Sequence, residues 1–319
     1  MFIKHFLATF LFILPFLMLG TKQSQAVQKN NKPWLRLDNS LNYIKADPKK
    51  GRYVAYSDKI KGALHILDLK SQKNVMVSDK NIDGSFVWSP DGIRLIYREQ
   101  VKENGKISGN LMVFDMFLNK SIKLDEISSQ SGFITFDPRD YRLLLMHEDG
   151  VISKSLKLPD SRLAKWQLKT ASQKGRWAAG PGGIVYLSPS GHEMKKLTGD
   201  GSGVESFDIS PNGEKIVWTT NKSAIFYAED GNEGKFLDVG RDAKWSNSSN
   251  QIIYAGAQLI GRKVSGYDIK LSDLHGNKKW ITQTPLSMER WPEMLPNGTV
   301  LYTKAASTDL YSLEVKSRN

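Results

Sequence analysis

Arg162, Arg241 and Arg290 are the residues whose type and spacing first suggest chemistry. Each stands four positions ahead of an equivalent aromatic or apolar residue in a repeating unit of the chain, where other units carry Gly84, Gly132 and Glu205. A guanidinium grips carboxylate or phosphate through two parallel hydrogen bonds, and more strongly where water is scarce. Units closed into a ring would bring these groups to one mouth, with Lys165 and Lys244 in support and Trp291, which breaks register beside Arg290, exposed enough to stack on a ligand. The expectation is an anion-recognition site. The competing expectation is a solvated rim in which Arg241 pairs with Asp242, or Arg290 with Glu289.

Groups for catalysis are sparse. A serine hydrolase needs Gly-x-Ser-x-Gly to lift its hydroxyl beside an oxyanion hole, and Gly199-Asp200-Gly201-Ser202-Gly203 has the wrong spacing and reads as a loop. Beyond residue 26 the histidines are His65, His147, His192 and His275, one to a unit, with no cysteine anywhere to help hold a metal. His65 reads as a strand residue and the others as turn neighbours. No nucleotide-binding glycine loop follows a strand. Asp149-Gly150 and Asp230-Gly231 read as turns rather than calcium loops. Asp83, Glu205, Asp242 and Glu289 could converge as a glycosidase pair, although sequence gives no distance between them. No catalytic residue, metal or cofactor is therefore expected.

The elements that must position these side chains repeat. Trp88-Ser89-Pro90-Asp91-Gly92 precedes an apolar run, as do Phe136-Asp137-Pro138-Arg139-Asp140 and Ile209-Ser210-Pro211-Asn212-Gly213. Weaker copies are Ala46-Asp47-Pro48, Trp245-Ser246 and Leu295-Pro296-Asn297-Gly298, and Trp166 ends a degenerate one that lacks the turn. Counting from Ala46 through Trp88, Phe136, Trp166, Ile209 and Trp245 to Met294 gives intervals of 42, 48, 30, 43, 36 and 49 residues, the period of a propeller blade. Trp88, Phe136, Trp166 and Trp245 share one position, which reads as a packing stripe rather than a sugar platform. Each unit predicts four strands: 41–46, 52–57, 63–69 and 74–78 in the first; 85–88, 93–99, 110–116 and 121–125 in the second; 207–209, 215–220, 224–229 and 235–239 in the fifth. The last unit supplies only 290–295, 299–304 and 309–315. Residues 34–38 alternate correctly to provide its missing outer strand, hiding both edges.

Residues 1–26 read as an export signal, with a basic start, an apolar run over 6–20 and small residues before a cut after Ala26. Fifteen residues interrupted by Pro15 are too short to span a bilayer, so no stable membrane span is expected after cleavage. The absence of cysteine excludes a lipobox anchor and disulfides. Net charge is +12, or +10 without Lys4 and Lys22, which favours anionic partners. The basic residues are dispersed and the chain reads as exported, so nucleic acid is not expected.

Pro-Asp-Gly before a basic residue and an apolar strand, with the next strand ending in Asp as in Leu64-His65-Ile66-Leu67-Asp68 and Met112-Val113-Phe114-Asp115, resembles the WD40-like (PD40) repeat of the TolB propeller family. The resemblance covers nearly all of the chain after residue 26. It implies a β-propeller, and it is neutral on function because the repeat occurs in binding proteins and beside peptidase domains. TolB itself carries an α/β domain ahead of a six-bladed propeller that docks the lipoprotein Pal. Here about 20 residues separate the signal from the first repeat, and seven repeats are counted.

The expectation is thus an all-β propeller of seven four-stranded blades, or six if 151–199 forms one distorted blade. Residues 27–40 would hold the ring-closing strand and 41–319 the propeller. Its expected role is a periplasmic or secreted, non-catalytic module that binds an envelope protein or an anionic glycan or peptide. The alternative is a polysaccharide- or peptide-processing enzyme with its site at the channel.

Overall fold

A computed structural model describes residues 32–315, apart from 83, 104–105, 129–132, 140–141, 148–149, 155–174, 181–182, 190–193 and 199–202. The described chain holds strands, turns and loops, and no helix. Two copies of the repeated tetrapeptide show why each unit folds back on itself. The Ser89 hydroxyl donates to Asp91 and accepts from the Arg94 amide at 2.9 Å, while Gly92 donates its amide to the Ser89 carbonyl at 2.8 Å. Ser210, Asn212, Gly213 and Lys215 repeat these bonds at 2.7, 2.9 and 2.7 Å. Both glycines have φ near +70°, the region an L side chain resists. The basic residue after the turn and the acid ending the next strand lie opposite each other. Arg94 meets Asp115 at 3.1 Å, and Arg52 meets Asp68 at 2.6 Å.

The resulting strands form β2 (Leu41–Ala46) to β5 (Asn74–Ser78) in the first sheet and β6 (Phe86–Trp88) to β9 (Lys120–Ser128) in the second. β10 (Ile134–Phe136) to β12 (Gly150–Lys154) follow, then β13 (Arg176–Gly180) to β15 (Met194–Lys196). A long sheet runs from β16 (Val204–Ile209) through β17 (Lys215–Thr220), β18 (Ala224–Glu229), β19 (Lys235–Trp245), β20 (Gln251–Ile260) and β21 (Lys263–Asp273) to β22 (Lys278–Trp280). In it β19 serves twice: residues 235–239 pair with β18 and 240–245 with β20. The outer strand of one unit thus becomes the inner strand of the next without a loop, where the sequence suggests a stop at residue 239. The last sheet is β23 (Glu289–Met294), β24 (Thr299–Lys304) and β25 (Asp309–Glu314), completed by β1 (Leu35–Arg36). Leu35 lies opposite Leu310 and Arg36 opposite Asp309, the pairing expected of the segment at 34–38.

Adjacent residues of the second strand in each unit serve different cores. Val54 packs toward Leu295 and Leu301 of the last sheet, and Ala55 toward Phe86 and Leu95 of the second. Leu95 and Ile96 divide likewise, as do Ile216 and Val217, Ile252 and Ile253, and Val300 and Leu301. Sheets buried on both faces need consecutive apolar residues, each worth roughly 1.5–3 kcal/mol when fully removed from water. The stack returns to its start, since the last and first sheets share a core. Trp88, Phe136 and Trp245 lie in these inter-sheet cores as the packing stripe predicts.

Candidate functional site

The inner strands β2, β16, β19 and β23 carry the chemistry. In β2, β19 and β23 the ladder to the neighbouring strand slips at one corresponding place, between Asn42 and Lys45, Arg241 and Lys244, and Arg290 and Glu293. At each slip a residue with a side chain takes left-handed backbone: Tyr43 at φ 50°, Asp242 at 56° and Trp291 at 49°. Such strain of about 1–3 kcal/mol persists only where surrounding contacts impose it. The Asp242 carboxylate accepts the Trp291 amide at 3.1 Å and both arms of Arg290, at 2.5 and 3.0 Å. One unit back, Arg241 donates to Glu205 at 2.7 Å, Ser223 at 3.0 Å and the Tyr267 hydroxyl at 3.2 Å. Both guanidiniums stand 6.0 Å from the Tyr267 ring.

Arg241 and Arg290 are therefore brought together as expected, but their partners are Glu205 and Asp242 from the preceding inner strands. The sequence pairs, Arg241 with Asp242 and Arg290 with Glu289, do not form. Burial pulls the Arg290 guanidinium down, but its bonds to Asp242 together with that charge outweigh it and hold the group above its ordinary value. Glu205 is pushed up, by burial first, against the pull of Arg241. Trp291 is partly buried rather than out in solvent: its ring lies 4.7 Å from Arg290 and 5.8 Å from Tyr43. Arg162 and Lys165 lie outside the described residues.

The slips direct Tyr43, Asp242 and Trp291 into a cavity of about 220 Å3, walled also by Phe133, Ser206 and Phe207 and floored by Lys45 and Lys244. These two lysines also line a narrow space of about 70 Å3 and a cavity of about 330 Å3 on the side of the Pro-Asp-Gly turns. Lys45 and Lys244 thus mark a waist along the axis. Asp208 and Glu293 join them, and all four occupy the position just before the repeat's aromatic or apolar marker. Lys244 reaches Asp208 at 3.8 Å, and the Lys45 ammonium donates to the Phe86 carbonyl at 2.5 Å. Protein surrounds both amino groups without sealing them from the channel. Burial, and then the charge of Lys244, pulls Lys45 down to about 7. Lys244 itself is held above its usual value: burial opposes this, but Asp208, Glu293 and Asp242 prevail. Burial pushes Glu293 up to about 7, although Lys244 works the other way.

Lys45, Asp208, Glu293, Tyr43 and Tyr267 are missing from the sequence expectation. Comparing the repeats one position before the marker, rather than four, gives the first three directly. Of the carboxylates considered for glycosidase chemistry, Asp83 lies outside the described residues, and Glu205 and Asp242 hold the arginines. Glu289 is buried against Thr282 and the Ile269 amide, with burial raising it to about 7. His65 is a strand residue as expected, buried and stacked on Tyr56 at 5.1 Å. His147 falls in β11 (Leu143–His147) rather than a turn, and His192 lies outside the described residues. Among the described residues no group of three or more His, Asp or Glu could hold a metal ion.

With this geometry established, comparison with known proteins bears on the fold. No family model and no curated protein matches the chain. Among solved structures, the chain is similar to the β-propeller domain of Cps50 (Swd1) from Myceliophteria thermophila, with a TM-score of 0.58 and 13% identity over 90% of this chain and 100% of that one. The chain is a β-propeller. A putative TolB from Agrobacterium tumefaciens is also similar, with a TM-score of 0.51 and 15% identity over 88% of this propeller and 91% of that chain. At such identities the likeness concerns the fold alone.

Proposed function

We propose that this propeller is a TolB-like module of seven four-stranded blades, exported by its N-terminal segment, that binds a partner at one mouth and performs no reaction there. Dividing the long sheet at residue 240, where β19 passes from one unit to the next, supports the seven-blade reading, with β10–β12 and β13–β15 as three-stranded sheets among the described residues. The observation that carries the binding reading is the 220 Å3 cavity, with Tyr43, Phe133, Phe207 and Trp291 as walls and Lys45 and Lys244 at its floor. Aromatic walls over a basic floor suit a segment that offers an apolar or aromatic group ahead of an acidic one, from an envelope protein or an anionic glycan. Arg290 contributes by backing Trp291, on which Tyr43 packs, and Arg241 by holding Glu205 and Tyr267, rather than by meeting the ligand. The non-catalytic reading rests on the same ion pairs: Glu205 and Asp242, the carboxylates at this mouth, are engaged as structural anchors.

The test is a crosslinking pull-down from cell envelopes, with the wild-type chain compared to a Tyr43→Ser, Trp291→Ser variant. A stoichiometric partner captured by wild type and lost in the variant supports the reading. Equal capture removes the mouth as the site, and turnover of a glycan or peptide abolished by Glu205→Gln would replace binding with catalysis.

A further inference from the structure

The end of the propeller opposite the Pro-Asp-Gly turns carries apolar side chains that no core accounts for. Strands β3 (Tyr53–Asp58) and β20 both begin at such turns, so the hairpin tips that follow them emerge at that opposite end. The first tip is Lys59-Ile60-Lys61, with Ile60 88% exposed. The second is the projecting end of β20 and β21. Gly240, where the inner half of β19 begins, lies opposite Gly256, so residues 257–260 extend past it by about 13 Å at 3.3 Å per residue. Leu259, Ile260 and Val264 are exposed there, Ile260 at 68%, with Arg262 and Lys263 between Ile260 and Val264.

A neighbouring segment widens the second tip. The Tyr267 amide donates to the Ser287 carbonyl at 2.7 Å and Tyr267 bridges to Met288, which fixes Leu286 and Met288 at the hairpin's base. Leu286 is 70% exposed. Between the two tips the last unit offers only Ala305 and Ala306, both exposed and small. The carboxylates at this end are mostly withdrawn. Asp58 accepts the amides of Ile60 and Lys61, Asp309 holds Arg36, and Asp268 and Glu289 are buried, which leaves Asp38 exposed along with Asp79 and Glu126, the last two beside Lys80 and Lys123. Lys59, Lys61, Arg262 and Lys263 outnumber the unpaired acid, and Lys222 adds a further exposed cation on the tip between β17 and β18.

We infer that this end of the propeller docks on an anionic phospholipid surface, with Ile60, Leu259, Ile260 and Leu286 entering the headgroup boundary and the flanking lysines and arginine meeting the lipid phosphates. Separate apolar tips, each beside basic residues, suit a deformable, negatively charged interface into which side chains can partition individually. A protein partner would call for a continuous, complementary patch instead. The tips rim the same end onto which the aromatic mouth opens, so docking would bring that mouth toward the lipid; none of the four tip residues lines the cavity, so vesicle binding and partner capture are read separately.

The experiment is vesicle co-sedimentation of residues 27–319, which keep every contact described here and omit the apolar run at 6–20. Vesicles of phosphatidylcholine with about one third phosphatidylglycerol are expected to retain the protein, and phosphatidylcholine alone is not. Ile60→Ser combined with Ile260→Ser should weaken retention roughly tenfold with an unchanged circular dichroism spectrum. Lys59→Gln, Lys61→Gln, Arg262→Gln and Lys263→Gln together should abolish the preference for anionic lipid. No retention on anionic vesicles, or retention that neither variant changes, overturns the inference. A protein partner lost in the tip variants without any vesicle binding would overturn it in favour of a protein interface.

Discussion

Arg290 closes both arms of its guanidinium on Asp242 of the preceding inner strand, at 2.5 and 3.0 Å, and the amide of the next residue, Trp291, meets the same carboxylate at 3.1 Å. One side chain thereby joins two units and fixes a residue in left-handed backbone. Removing one partner of such a pair leaves an uncompensated charge in a poorly hydrated place, which is far more harmful than removing both.

Arg290→Met should therefore destabilise the fold by about 3 kcal/mol, because Asp242 would keep only the Trp291 amide. Adding Asp242→Asn to that variant should recover a substantial part of the loss. Urea denaturation of the two single variants and the double one measures the coupling. A single-variant loss below about 1 kcal/mol would mean that the pair does not hold the inner strands.

The waist makes stability depend on pH in two opposite limbs. Glu293 is raised to about 7, so between its unfolded value near 4.5 and 7 the folded chain binds the extra proton, and stability falls as pH rises through that window. Lys45 is lowered to about 7, so between 7 and roughly 10.5 the unfolded chain binds the extra proton, and stability rises with pH. Together they place a trough near neutrality, on the order of 2 kcal/mol deep after allowance for channel water. Glu293→Gln should make the acidic limb shallower, leaving the share of buried Glu289, which is also pushed up to about 7, and Lys45→Met should flatten the alkaline one. Denaturation midpoints measured from pH 4.5 to 10 would show whether either limb keeps its full slope after its own substitution.

Local chemistry was legible in the sequence, and contacts between units were not. Strands 41–46, 74–78, 215–220, 224–229 and 299–304 match the observed bounds, because Ser-Pro-Asn-Gly and its relatives fix a turn within five residues and alternate apolar positions follow. The merging of the fifth unit's outer strand into β19 was missed because Gly240 reads as a break, whereas it stays in the strand and its lack of a side chain lets β20 approach closely. The pairing of Arg241 with Glu205 spans 36 residues, and that of Arg290 with Asp242 spans 48. At such separations, only knowing that the inner strands lie side by side selects the right carboxylate. Proximity along the chain favoured Asp242 for Arg241 and Glu289 for Arg290, both wrongly. Left-handed Tyr43, Asp242 and Trp291 carry no signal in residue type, since two of them are aromatic and disfavour that conformation.

The strand that completes the last sheet should owe its stability to Leu35 and the backbone, not to its visible ion pair. Arg36 holds Asp309 at 2.8 Å but is 74% exposed, so Arg36→Ala should change stability little. Leu35 packs against the core shared by the first and last sheets, and the Trp34 and Leu37 amides bond to Leu310 and Thr308. Removing residues 27–38 should lower the melting temperature sharply and leave β25 as an open edge. Size-exclusion chromatography is expected to show dimers or aggregates of that truncation.

Two turn glycines with similar backbone should respond differently to a methyl group. Gly298 has φ +82° and nothing within 4 Å of where a Cβ would sit, so Gly298→Ala carries only left-handed strain, about 1 kcal/mol. Gly92 has φ +69°, and its Cβ would stand 2.7 Å from an Asp47 carboxylate oxygen in the neighbouring unit. Asp47 cannot swing aside cheaply, because its two oxygens accept the Lys50 and Tyr53 amides at 2.8 Å each. Gly92→Ala should thus cost about 1–2 kcal/mol more than Gly298→Ala, from the lost bonds of a buried carboxylate. Thermal melts of the two variants side by side read this difference. Equal losses would show that the turns tolerate independent adjustment, and that the contact between units at Asp47 contributes little.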